Sequence, residues 1–208
     1  EKPRFEAFLS GVETIVAGLF LKIVIAELYR YFFIGVNQPW PLGSVKETVI
    51  AFIYVFFDFF GYSLVALGVG RLLGVPTPVN FDRPWKSVTV TEFWTRWHKS
   101  LGTFVLKNVF IPVQLFLTRR YGVKRAHYTG FIGLVASFGF VGLWHNFSWQ
   151  FLVWGVSLSL IMSVEKYVRD KKLSSLRKNN PKLLKAMAAV GPVYVFVVVV
   201  GTLHFVMK

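Results

Sequence analysis

A chain with several apolar runs long enough to cross a bilayer has few folds open to it. Lipid offers no partner for backbone N–H and C=O groups, and only helices or closed barrels satisfy those groups internally. Residues 49–73 are the clearest such run, and their one acidic side chain is Asp58. At about 1.5 Å of rise per residue a helix of that length crosses a hydrocarbon core of ~30 Å. Residues 128–144, Trp149–Val168 and 186–207 have comparable reach. Residues 8–33 join them, although Glu13, Lys22 and Glu27 interrupt the run. Each charge near a span's centre costs roughly 2.5–3.5 kcal/mol on insertion scales, so these three are expected to face other helices or lie near the ends. An interfacial amphipathic helix is the alternative for this segment. Asp58 is expected to be neutral, to take a hydrogen bond from Tyr62 one turn on, or to pair with a cation from elsewhere. Gly61 and Gly68 would let helices approach closely, and the spacing of Gly70 and Gly74 reads as a GxxxG packing motif.

The remaining segments are shorter or more polar. Asn37-Gln38-Pro39-Trp40-Pro41 reads as a turn with an interfacial tryptophan. Pro76 and Pro78 make residues 74–82 non-helical. Thr89 is a candidate N-cap with Glu92 as its capping-box partner. The helix that follows would carry Phe93, Trp97, Ser100 and Leu101 on one side, and is too polar to cross a bilayer. Lys107, Asn108 and Pro112 leave residues 104–117 an uninterrupted apolar length too short to span, which predicts a re-entrant or broken helix. Together these signals predict an all-α, polytopic membrane protein, a bundle with short re-entrant or interfacial helices. Residues 1–208 form a single membrane domain in this reading. The chain starts on Glu1 and ends inside an apolar run, as expected of the central to C-terminal part of a longer protein.

Charge at first suggests something else. The chain has 24 Lys and Arg against 10 Asp and Glu, a net +14, which on a soluble protein would point to nucleic acid. A mean hydropathy of +0.53 and the placement of the charges argue against that. Half of the basic residues fall in two short loops: four are Arg119, Arg120, Lys124 and Arg125, and eight lie between Lys166 and Lys185. Both loops flank apolar runs, as the positive-inside rule expects of cytoplasmic connections. The partner implied is a lipid bilayer, with no nucleic acid, and the location a plasma or inner membrane crossed several times. If 128–144 and Trp149–Val168 both cross, their basic ends share the cytoplasmic side and His145 lies away from it.

The chemistry concentrates in two patches, Arg96-Trp97-His98-Lys99 and Gly142-Leu143-Trp144-His145-Asn146. Each puts a histidine after a tryptophan, and an imidazole in or near a membrane is a functional candidate. His127 beside a basic loop reads as solvated, and His204 as a packed side chain. With no cysteine the chain offers no thiolate nucleophile or acyl-cysteine. No metal-ligand spacing links the histidines, and no aspartate follows either at the fourth position. General-base work remains: a neutral imidazole takes the proton of a hydroxyl while the oxygen attacks an acyl carbon. Asn146 or Arg96 is a candidate for holding the oxyanion.

The order of short motifs carries a resemblance. Phe56-Phe57-Asp58-Phe59-Phe60-Gly61-Tyr62-Ser63, Asn80-Phe81-Asp82-Arg83-Pro84, Glu92 to Leu101 and Gly142-Leu143-Trp144-His145 resemble successive motifs of the membrane-bound O-acyltransferase family. The likeness is to the bacterial branch that acylates alginate or teichoic acid. The resemblance implies that the helices surround a central cavity. It also implies an O-acyltransferase moving an acetyl or D-alanyl group from a cytoplasmic thioester donor to a hydroxyl of a cell-surface polysaccharide or teichoic acid. No bound cofactor is implied, since the thioester, an acyl-CoA or acyl-carrier protein, is a substrate. The partners implied are that donor or its carrier protein on the cytoplasmic side and an acyl-relay protein on the periplasmic or extracellular side. It makes His145 the principal catalytic histidine and His98 the second. Asn80, Arg83, Trp94, Arg96, Trp97, Asp58, Tyr62, Trp144 and Asn146 become the expected substrate-binding set, with no metal site. The competing reading is a non-catalytic transport or scaffold protein of a cell-envelope polymer system.

Overall fold

The computed structural model of the chain describes residues 4–35, 43–170 and 180–206. The expected turn at 37–41 lies outside the described residues, as does most of the expected basic loop at 169–185. Among the described residues the regular structure is helical, and six helices are long and apolar enough to cross a membrane: Phe5–Phe33, Val45–Leu73, Lys99–Tyr121, Val123–His145, Trp149–Val168 and Lys185–Val206. The protein is an all-α, multi-pass membrane protein. Its residues group into two compact units, one ending at Asp82 and the other running Arg83–Met207.

In the first unit, α1 (Arg4–Leu19) passes through a π turn, Phe20–Ile25, into α2 (Ala26–Phe33), and α3 (Val45–Leu73) returns against them. The start of α3 is fixed by a capping box that sequence reading missed: Ser44 and Glu47 each accept the other's backbone N–H. Its end is Gly74, in the left-handed conformation at φ 68°, which glycine adopts without penalty. The antiparallel contact of α1 with α3 runs through glycines spaced seven apart on each helix. A Cβ on Gly61 would stand 2.7 Å from the Gly18 carbonyl oxygen, and one on Gly68 2.7 Å from that of Gly11. The close approach expected at Gly61 and Gly68 is therefore present. The GxxxG reading of Gly70 and Gly74 is not, because Gly70 is crowded by Thr77 of the following loop and Gly74 ends the helix.

Two ion pairs match charges within this unit. Lys22, on the π turn, pairs with Asp58, so the aspartate takes a cation rather than Tyr62, which is exposed. Glu27 receives the Tyr54 hydroxyl at 3.1 Å and meets Arg30 at 3.5 Å. Glu13, in the first third of the span Phe5–Phe33, is exposed, so of the two expected placements facing another helix does not apply to it. Residues 75–82 are non-helical as the prolines require. They fold back along α3, with Phe81 buried against Phe56, Phe59 and Phe60 at ring distances of 5.9, 5.3 and 5.6 Å. Asn80 is held by donating to the Ser63 hydroxyl at 3.0 Å.

In the second unit a 3-10 turn, Pro84–Lys86, leads to α4 (Val90–Arg96) and α5 (Lys99–Val105). A π turn, Leu106–Phe110, joins α5 to α6 (Ile111–Tyr121), and then come α7 (Ala126–His145), α8 (Trp149–Val168) and α9 (Pro181–Val206). Two expectations fail here. The helix begun at Thr89 stops at Arg96, so Phe93 and Trp97 do not share a helix face with Ser100 and Leu101. The expected break within 104–117 is absent, and the run Lys99–Tyr121 is helical throughout and of spanning length. Pro112 lacks an N–H to donate, and it is the second residue after the π turn, where the ordinary ladder is already shifted.

α7 and α8 form an antiparallel hairpin closed over residues 146–148. Gly142 lies against the Phe151 backbone, Gly155 against the Phe138 backbone, and Ser159 donates to the Leu134 carbonyl at 3.0 Å. The buried core of the unit is Val90, Val105, Val141, Trp154, Leu158 and Met162. It brings α4, α5, α7 and α8 to one place and leaves His145 at the closed end of the hairpin.

Candidate active site

The site is built on a short helix and the break that ends it. Thr89 caps α4 by accepting the Glu92 N–H at 3.0 Å, as expected. The reciprocal bond is displaced by one residue, because Glu92 accepts from the Val88 N–H at 2.9 Å rather than from Thr89. Glu92 also holds Arg96 one turn on, at 2.8 and 3.0 Å. The Arg96 guanidinium is thus engaged within its own helix. Phe93 stacks on Trp97 at 5.5 Å and 20°, and there the helix ends, with Trp97 extended at ψ 129°.

His98 follows in the left-handed conformation, φ 49° and ψ 52°. For a residue with a Cβ this costs on the order of 1–3 kcal/mol and persists only where the surroundings enforce it. It is one of two non-glycine residues with positive φ among the described residues, the other being Arg83 at φ 47°. The break separates α4 from α5 and leaves the His98 ring at the corner between them. Its Nδ1 is 3.4 Å from the Ser100 hydroxyl. Burial pushes the His98 imidazole down to about 4, and the charge of His145 adds to the shift. Both effects oppose protonation, so the ring is neutral at pH 7 and keeps a lone pair to accept a proton.

Helix α4, which ends just before His98, and His145 meet the same tryptophan, Trp154. His145 is the last residue of α7, which stops because Asn146 turns extended at φ −158°. Its ring meets Trp144 at 4.9 Å, Trp154 at 6.0 Å and Phe151 at 6.3 Å. Trp154 in turn packs edge to face on Trp94 of α4 at 5.8 Å and 77°, and Trp94 on Phe138 at 5.8 Å. Helices α4, α7 and α8 therefore share one aromatic cluster that includes the His145 ring, and His98 follows directly on the end of α4. Trp154 is almost fully buried, whereas His145, Trp144 and Asn146 are exposed.

Of the side chains expected from sequence, Trp94, Arg96, Trp97, His98, Trp144, His145 and Asn146 belong to these elements. Arg83 lies at the start of the same unit and is exposed. Asp58, Tyr62 and Asn80 belong to the first unit, where Asp58 and Asn80 have the partners described above and Tyr62 is exposed. Sequence reading missed Trp154, Phe138 and Glu165. Glu165 accepts the Val90 N–H at 2.8 Å and the Thr91 N–H and hydroxyl, both at 3.2 Å. The signal for it was present, since it is the single acidic residue of Trp149–Val168, and such residues inside spans have partners that matter.

Fold and site together define a helical, multi-pass membrane protein with the His145 imidazole in an aromatic cluster that α4 shares. The sequence matches the model of the membrane-bound O-acyltransferase family, MBOAT, over residues 4–202, and the chain belongs to that family. It is 28% identical over 176 residues to the teichoic acid D-alanyltransferase of Bacillus subtilis strain 168, covering 82% of this chain and 45% of that protein. It is 30% identical over 160 residues to the peptidoglycan O-acetyltransferase of Helicobacter pylori, 75% of this chain and 29% of the relative. Against the probable alginate O-acetylase AlgI of Azotobacter vinelandii the identity is 32% over 173 residues, 79% and 32% of the two chains. The chain thus spans less than half the length of these relatives.

Proposed function

We propose that the chain carries the reacting centre of a membrane O-acyltransferase that moves an acetyl or D-alanyl group from a thioester donor to a hydroxyl of a cell-surface polysaccharide or teichoic acid. The observation that carries this reading is that His145 and α4, the helix that leads directly into His98, meet in one aromatic cluster although they are distant in sequence. His145, exposed at the end of α7, is the general base. A free imidazole nitrogen takes the proton of the acceptor hydroxyl as its oxygen bonds to the thioester carbonyl carbon. When the tetrahedral intermediate collapses, the C–S bond breaks and the proton passes from the imidazolium to the departing thiolate. His98, neutral and recessed, shapes the site and accepts a hydrogen bond from substrate or donor. Asn146 stands beside His145 as a donor to the oxyanion. Arg96 is better read as holding α4 than as an oxyanion partner, since Glu92 already engages it.

The positions of the charges support an orientation. Lys124 and Arg125 precede α7, Lys166 and Arg169 end α8, and His145 lies at the opposite, closed end of the hairpin. The positive-inside rule puts the basic ends in the cytoplasm, on the plasma or inner membrane. The acyl-CoA or acyl-carrier protein then arrives from the basic side, and the polymer, or an acyl-relay protein, receives the group on the other. Arg83, Trp94, Trp97 and Trp144 belong to the substrate path in this reading.

The test is made in cells. With His145→Ala in the full-length protein, ester-linked acyl groups on the surface polymer are expected to disappear while the protein stays at wild-type level in the membrane. Persisting acylation at that level would refute the assignment and favour a transport or scaffold role.

A further inference from the structure

We infer that Glu165 is a positioning residue for the imidazole pair: reaching from the last turns of α8, its carboxylate pins the first turn of α4 and so fixes where His98 stands relative to His145. Its consequence for catalysis rests on the reading of the two histidines given above; its geometric content does not. α4 has seven residues, too few to be stable as an isolated helix, so its position must come from what it is fastened to. Its N-terminal N–H groups have no partners inside the helix. Two of them, on Val90 and Thr91, donate to Glu165, as does the Thr91 hydroxyl. A carboxylate there also meets the positive end of the helix dipole, and bonds to an ionised acceptor are about twice as strong as neutral ones.

The second fastening is aromatic and uses the same helix. Trp154 lies about three turns before Glu165 on α8, hence on the same face, and carries both Trp94 of α4 and the ring of His145. With its first turn held by Glu165 and its middle by Trp154, α4 delivers the Trp97–His98 break to a set place. The cost of left-handed His98 is borne by these two anchors. A glutamine at 165 keeps the length but has one carbonyl oxygen where three donors now share two carboxylate oxygens.

The test reads distance rather than activity. These 208 residues have no cysteine, so His98→Cys with His145→Cys, in a full-length protein whose other cysteines are replaced, gives one pair for a short bifunctional thiol reagent in membranes. Crosslinking is expected to be fast with Glu165 present, about tenfold slower with Glu165→Gln, and intermediate with Thr91→Val. Thr91→Val keeps side-chain shape, so it carries the test if Glu165→Gln fails to insert. Unchanged crosslinking in both variants overturns the inference. Acyl transfer is measured separately with the native histidines. There Glu165→Gln is expected to lower kcat in step with crosslinking and leave the KM for donor unchanged. Slowed crosslinking with undiminished acyl transfer would support the clamp and count against catalysis by the pair.

Discussion

His98 carries two costs at once, a left-handed backbone and a ring that is hard to protonate. The second has a consequence for stability. In the unfolded chain the imidazole titrates near 6.5, whereas in the fold it titrates at about 4, so between those values the unfolded state binds the extra proton. The stabilising contribution of the neutral ring is thus complete above pH 6.5, falls as the pH drops towards 4, and is constant below. Thermal midpoints of the detergent-solubilised full-length protein are expected to decline over that window. His98→Asn, which tolerates the left-handed conformation and does not titrate, should flatten the decline; an equally steep decline in the variant would assign it to other groups. The residue types at this site were legible, because a tryptophan followed by a histidine is conspicuous in an apolar chain. The backbone of His98 was not, since nothing local requires a left-handed residue there and the anchors that enforce it come from α8.

At the scale of elements, apolar length gave the long helices well, and Trp149–Val168 is bounded as expected. Local polarity misled at 104–117, where Lys107, Asn108 and Pro112 suggested a break that a π turn absorbs. Spacing misled at Gly70 and Gly74, because the pattern of a packing motif does not say which helix is the partner. The glycines that matter lie at heptad spacing, Gly11 with Gly18 and Gly61 with Gly68. A methyl group on Gly61 would meet backbone atoms, the Gly18 carbonyl oxygen at 2.7 Å and the Lys22 nitrogen at 2.8 Å, and backbone cannot swing aside. Gly61→Ala is therefore expected to cost about 1–3 kcal/mol by overpacking and to loosen the Lys22–Asp58 pair beside it. Gly201→Ala is its control, since nothing lies within 4 Å of that added carbon. Equal thermal midpoints for the two variants would show that the glycine contact does not hold α1 to α3.

On the scale of the whole molecule, the class of the protein was the most legible property. Lipid forces the backbone into helices, and the placement of basic residues survives errors in local boundaries, although the sequence pointed to five spanning runs where the described residues hold six. The partnering of charges was less so, because Lys22 with Asp58 and Glu165 with α4 are pairings between segments distant in sequence. The division of labour follows from the same physics: glycines and the Lys22–Asp58 pair hold α1 and its π turn to α3 in the first unit, while an aromatic cluster in the second unit joins α4 to the hairpin that carries His145. The central claim is that His145 removes the proton from the acceptor hydroxyl. Its most direct test is single-turnover transfer from the acyl thioester by purified full-length protein in lipid nanodiscs, wild type against His145→Gln. The account predicts a rate lower by about 10²–10⁴-fold with helix content unchanged. Transfer by His145→Gln at the wild-type rate would contradict it.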